Sequence, residues 1–138
     1  SIEKKRTMQN KILVVTPTNK INYAKVYPAI IRASDLVASD TTQGVDFIVD
    51  GVLKGTTSLV IEAINKIEAS LKGYGYNVAY KVRKLDVMLY GLKNAHRKWV
   101  EIQMRQDPDC VVVFPGEGVD VAHVKRLAKE NNVMVIVQ

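Results

Sequence analysis

Short apolar runs alternate along the chain with longer stretches in which apolar residues recur every three or four positions, a pattern that predicts βαβαβαβαβ. The first strand is expected from Lys11 to Val15 or Thr16, closed by Thr16-Pro17-Thr18-Asn19. A helix around Asn22 to Ser34 follows, with a stripe of Tyr23, Val26, Ile30 and Ile31 and with Pro28 arguing against a straight axis. After Ser39-Asp40-Thr41-Thr42-Gln43-Gly44 come a second strand, Val45 to Val49, a glycine-bearing turn, and a helix from Thr56 to Leu71. Gly73-Tyr74-Gly75 ends that helix ahead of a third strand, Asn77 to Val82. Leu85 to Tyr90 reads equally as strand or helix. A helix over Asn94 to Arg105 stops at Asp107-Pro108, and a fourth strand runs Asp109 to Phe114. A last helix, about Val119 to Asn131, and a strand, Val133 to Val137, complete the pattern.

Strands alternating with helices imply an α/β, Rossmann-like three-layer fold around a mainly parallel five-stranded sheet. With 138 residues, 47% of them hydrophobic, one domain over residues 11–138 is expected. Residues 1–10 read as a flexible basic leader (Lys4, Lys5, Arg6), or as a remnant ahead of a native start at Met8. No apolar run reaches the roughly 18 residues of a membrane span, so no membrane partner and a cytoplasmic location are expected. Twenty Lys and Arg against 14 Asp and Glu, a net charge of +6, favour anionic partners without choosing among nucleotides, nucleic acid and acidic proteins. The single cysteine, Cys110, excludes an internal disulfide and lies in a valine-rich run where a small buried apolar residue is expected. Two histidines without spaced carboxylates predict no metal, and no cofactor is called for.

In open parallel sheets, ligands bind outside the carboxyl ends of the strands, where strand order reverses. That rule gathers three segments: Thr16 to Asn19, Asp50 to Thr57, and Pro115 to Asp120. The last has the greatest content, since Asp109-Cys110-Val111-Val112-Val113-Phe114 feeds Pro115-Gly116-Glu117-Gly118-Val119-Asp120 and then a helix. Glycines admit backbone amides close to an anion, and the helix aims its free N–H groups at it.

With these residues in view, the chain from Lys11 to Gln138 resembles the SLOG superfamily, the Rossmann-like domains of DNA-processing protein A and the Lonely Guy enzymes. It looks like a small stand-alone member. The segment Pro108 to Asp120 is similar to the family's strand and Pro-Gly-Gly-x-Gly-Thr turn. Asp50-Gly51-Val52-Leu53-Lys54-Gly55-Thr56 is similar to its Gly-Gly-Ala-Arg-Gly-Ala-Asp turn, and Asn94-Ala95-His96-Arg97-Lys98 falls where an Arg-Asn pair is carried. The chain departs from the family at Glu117, where a small residue is usual, at Val119 in place of threonine, and at Thr57 in place of an acidic residue. The Lonely Guy glutamate has no counterpart in Asp120-Val121-Ala122-His123-Val124, so phosphoribohydrolase activity is not carried over.

The expected site therefore comprises Thr16, Pro17, Gly51, Lys54, Gly55, Thr56, Arg97, Pro115, Gly116, Gly118 and Val119 for phosphate or ligand. Glu117 and Asp120 are the candidates for activating water or steadying a developing sugar cation. Lys54 reads as a phosphate ligand or as an exposed turn lysine; His96 and His123 read as ligand contacts or as capping and packing residues. Asp120 also suits an N-cap. Trp99 and Met104 suit either packing or a dimer surface. The expected function is binding of a nucleotide or nucleotide-derived small molecule, as sensor, sequestering protein or hydrolase of an N-glycosidic or phosphate bond. Nucleic-acid binding of the DNA-processing protein A type and an interaction module with an unused pocket are the alternatives, and the resemblance implies a homo-oligomer.

Overall fold

The computed structural model describes residues 9–51 and 55–138. The elements alternate along the chain: β1 (Gln9–Val15), α1 (Tyr23–Val37), β2 (Gly44–Asp50), α2 (Thr57–Leu71), a 3-10 turn (Lys72–Tyr74), β3 (Asn77–Arg83), α3 (Val87–Met104), β4 (Cys110–Val113), α4 (Val121–Glu130) and β5 (Met134–Val137). All strand pairs are parallel, in the order β3-β2-β1-β4-β5. This is the expected Rossmann-like α/β sheet, and its strand order reverses between β1 and β4.

Two apolar layers enclose the sheet. Ile12, Val14, Phe47, Val112 and Phe114 meet Val26 and Ile30 of α1 and Val60 and Ile64 of α2 on one face. Leu13, Val15, Val111 and Val113 meet Trp99, Val100 and Met104 of α3 and Val124 of α4 on the other. Central strands covered on both faces need continuous apolar runs, which is why β1 and β4 read as such in the sequence. Burying each of these side chains contributes about 1.5–3 kcal/mol. Trp99 and Met104 lie in this core, with the indole N–H donating to the Arg83 carbonyl at 2.8 Å. Cys110 is buried too, and burial first, then the Asp109 charge, pushes its thiol up to about 11, leaving an inert thiol.

Three boundaries differ from the hydrophobic pattern. Strand β1 starts two residues early because the polar Gln9 and Asn10 are used: Gln9 bonds Asp46, and Asn10 bonds the Val37 carbonyl and Thr42. Helix α1 contains Pro28, whose ring stands exposed, and ends at Val37 instead of Ser34, where the buried Val37 extends its apolar stripe. The ambiguous Leu85–Tyr90 stretch joins α3 as a separate first turn, capped by Asp86 and set off by Gly91, which holds φ 77° and ψ 164°. Only glycine adopts that backbone region readily.

Candidate functional site

At the carboxyl edge of the sheet, the segment after β1 is clamped between the two glycine turns. A Cβ on Gly55 (φ 108°) would lie 2.4 Å from the Thr18 carbonyl oxygen, and one on Gly116 would lie 2.6 Å from Pro17 Cβ. Gly55 is thus packed against the Pro17–Thr18 backbone and Gly116 against the Pro17 and Asn19 side chains, with no room for a Cβ at either. Thr18 N–H donates to the Glu117 carbonyl at 2.9 Å, and Glu117 N–H donates to Asn19 Oδ1 at 2.7 Å. Val119 N–H returns to the Gly116 carbonyl at 3.2 Å, closing a turn whose third residue, Gly118, has φ 83°. That is the position at which a type II turn demands glycine. The Glu117 and Val119 amides are thus already used, whereas those of Gly116 and Gly118 make no hydrogen bond among the described residues.

Beneath this clamp lies a buried polar network centred on Asp50, the last residue of β2. Thr16 N–H donates to Asp50 Oδ2 at 2.8 Å and Thr16 Oγ1 donates to Asp50 Oδ1 at 2.6 Å. Thr57 Oγ1 lies 3.1 Å from the Thr16 hydroxyl and donates to the Asp50 carbonyl at 3.3 Å. His96, reaching down from α3, places Nε2 2.6 Å from Asp50 Oδ2 and Nδ1 3.3 Å from the Gly118 carbonyl. Both ring nitrogens face acceptors, so only the imidazolium, with two N–H groups, satisfies both. Burial of the ring opposes that charge, but the hydrogen bond and charge of Asp50, helped by the Gly118 carbonyl, outweigh it. The His96 pKa is raised above its ordinary value. Asp50 is fully buried, and both its carboxylate oxygens are met: Oδ2 by the Thr16 N–H and His96 Nε2, Oδ1 by the Thr16 hydroxyl.

A small cavity opens beside this pair, lined by His96, Arg97, Gly118, Asp120 and His123 over a floor of Val15, Val100 and Val124. Asp120 is the N-cap of α4: Oδ1 accepts from His123 N–H at 3.0 Å, and Oδ2 is paired with the Arg97 guanidinium. These contacts hold its carboxyl below the usual range, the helix N–H bond first. His123 is 3% exposed. Its Nδ1 lies 2.6 Å from the Arg126 guanidinium and 3.4 Å from that of Arg97, both pure donors, so Nδ1 accepts. Nε2 carries the proton and has no hydrogen-bond partner; Glu101 Oε1 is 3.6 Å away. Burial, then the two guanidinia, lower the His123 pKa below its ordinary value. Among the described residues, no group of three metal-ligating side chains converges.

The structure brings Thr16, Pro17, Gly55, Thr56, Arg97, Gly116, Gly118, Val119 and Asp120 to one edge, as the topology rule requires. Thr56 Oγ1 donates to the Asn19 carbonyl. Gly51 abuts Lys84 and Val82 instead, with a would-be Cβ 3.0 Å from Lys84 Cα, and Pro115 and the Glu117 side chain are exposed. Lys54 lies outside the described residues. Three residues of the network, Asp50, Thr57 and His96, lay outside the expected set, although Asp50 and Thr57 bounded one gathered segment and His96 was weighed as a ligand contact. Their signal was an acidic residue ending a buried strand, a hydroxyl opening a helix and a histidine one position before Arg97; none carries a hydrophobic or glycine signature.

The fold and this edge define a Rossmann-like α/β protein with a polar crevice at its topological switch point. No family model matches the chain, and no curated protein matches it.

Proposed function

We propose that the protein binds a small phosphate-bearing, nucleotide-derived ligand at the carboxyl edge of β1 and β4. The observation that carries this reading is His96, held as an imidazolium over the buried Asp50 at the switch point and bordering the cavity that Arg97 and Gly118 share. A buried charge is expensive to maintain and clusters at functional sites. Arg97 and Asp120 form an exposed pair, 46% and 44% exposed, of the kind worth at most about 1 kcal/mol, so a ligand phosphate can take Arg97 from Asp120 at little cost. The exposed Gly116 and Gly118 amides, which make no hydrogen bond among the described residues, and the first turn of α4 add donors to the same edge. The glycine turns and the likeness to SLOG domains support the nucleotide class. If a bond is cleaved, Asp120, released from Arg97, or the exposed Glu117 supplies the carboxylate for water.

Thermal stabilisation by nucleoside mono-, di- and triphosphates, cyclic nucleotides and ADP-ribose tests this, since a ligand that binds only the folded state raises the melting temperature by mass action. A rise with one class that is lost in Arg97→Ala and Gly118→Val supports the site, and Lys54→Ala asks whether its turn takes part. No rise with any of them, or a rise that persists in Arg97→Ala and Gly118→Val, refutes it.

A further inference from the structure

The outer edge of the sheet carries a second surface, on β3, beyond β2 and its Asp50. Strand β3 is covered by α2 on one face only. Lys81 pairs in register with Ile48 and Arg83 with Asp50, so both lie on the face of α3 and α4, yet both are exposed because α3 crosses over β1 and β4 instead. The flank of α3 that borders this open face is apolar. Leu92 and Ile102 share a helical stripe with Trp99, which is tied to the end of β3, and they are 86% and 37% exposed. Ahead of them the separately capped turn before Gly91 presents Met88, 99% exposed, and Leu89, 68% exposed. Lys84 and Lys93 flank that turn, and none of these four cations forms an ion pair among the described residues.

We infer that this step between α3 and the uncovered face of β3 docks an acidic amphipathic helix of another protein. The partner helix takes the place of a missing helix in that layer, its apolar stripe on Leu92 and Ile102 and its carboxylates toward Lys81 and Arg83. Charge selects the occupant. A second copy of this chain, meeting the patch through a two-fold axis, would set these cations against their own like. A nucleic acid has no use for the four projecting apolar side chains Met88, Leu89, Leu92 and Ile102. A bilayer surface is served by a long continuous amphipathic helix, which Gly91 interrupts here.

The test uses a fluorescein-labelled helical peptide of about 21 residues, Leu at i, i+3, i+4, i+7 spacing and Glu elsewhere, with fluorescence anisotropy as the readout. Its counterpart with Lys for Glu, a 30-nucleotide DNA and phosphatidylserine vesicles serve as competitors. The acidic peptide is expected to bind, and Leu92→Asp and the double change Lys81→Glu with Arg83→Glu each to weaken it at least tenfold. Lys25→Glu, on α1 in the opposite layer, is expected to leave it within twofold. Circular dichroism establishes that each variant is folded. No binding, an equal loss in Lys25→Glu, concentration-dependent dimerisation that Leu92→Asp abolishes, or tighter binding of the DNA or the vesicles overturns the inference. The peptide assay contains no nucleotide and varies none of Arg97, Gly118 or Lys54, so the two proposals fail separately.

Discussion

His96 and His123 border the same small cavity, 27 positions apart in sequence, and their pKa values are shifted in opposite directions. His96 has an acceptor at each nitrogen, the Asp50 carboxylate and the Gly118 carbonyl, and is held as a cation. His123 has two guanidinia at Nδ1, which favour its neutral form, and its Nε2 has no hydrogen-bond partner among the described residues, the nearest carboxylate being Glu101 at 3.6 Å. Both rings are withdrawn from water, so desolvation acts on each in the same direction. Burial opposes the charge on both, so what sets the two shifts apart is the groups facing each ring, a carboxylate and a carbonyl at His96 and two guanidinia at His123. One edge of the sheet thereby holds a ring that favours its charged form beside one that favours its neutral form.

The largest expected effect breaks the cationic half. Asp50→Ala leaves His96 buried without its counter-charge and Thr16 without its acceptor. A loss of about 3–5 kcal/mol is expected in urea unfolding near pH 6, and a loss under about 1 kcal/mol would sink the ion-pair assignment. Next come the glycines that hold the clamp over the pair. Gly55→Ala and Gly116→Ala drive a Cβ into Thr18 and Pro17, and each is expected to cost about 1–3 kcal/mol. Gly118→Ala meets only Thr18 Cγ2 at 3.7 Å, so it loses about 1–2 kcal/mol through its left-handed backbone alone. Equal stability of all three variants and the parent protein would refute the clamp.

The comparison itself is sharpened by pH. The raised pKa of His96 contributes stability that is fully present below the unfolded value of about 6.5 and is lost as pH rises through the folded value. The lowered pKa of His123 works in reverse: its contribution is present above about 6.5 and is lost as pH falls through the folded value. Stability is therefore expected to decline on both sides of neutrality, and His96→Gln should remove the alkaline decline while sparing the acid one. Titration of the two rings by NMR checks the assignment directly, since midpoints in the reverse order would overturn it. The smallest effect is expected for Arg97→Ala, which raises the His123 midpoint by removing one guanidinium and changes stability by less than about 1 kcal/mol. An unchanged midpoint would assign the depression to burial and Arg126 alone.

The buried runs of β1, β2 and β4, and the 3.6-residue stripes of α1, α2 and α4, were legible in the residues, because burial on two faces or one leaves a local record of apolar spacing. So were the Asp120 cap and the glycine turns, whose chemistry acts over a few neighbours. The start of β1 at Gln9 and the first turn of α3 left no such record, since polar side chains at 9 and 10 and a glycine at 91 obey partners elsewhere in the chain. The same holds for the candidate site. Local sequence determined which strands end near glycine and which helices begin there. Only the tertiary structure brought Asp50 under Thr16 and His96, 34 and 46 positions away, because a charge pair's energy depends on separation and solvent exclusion and carries no periodic imprint along the chain.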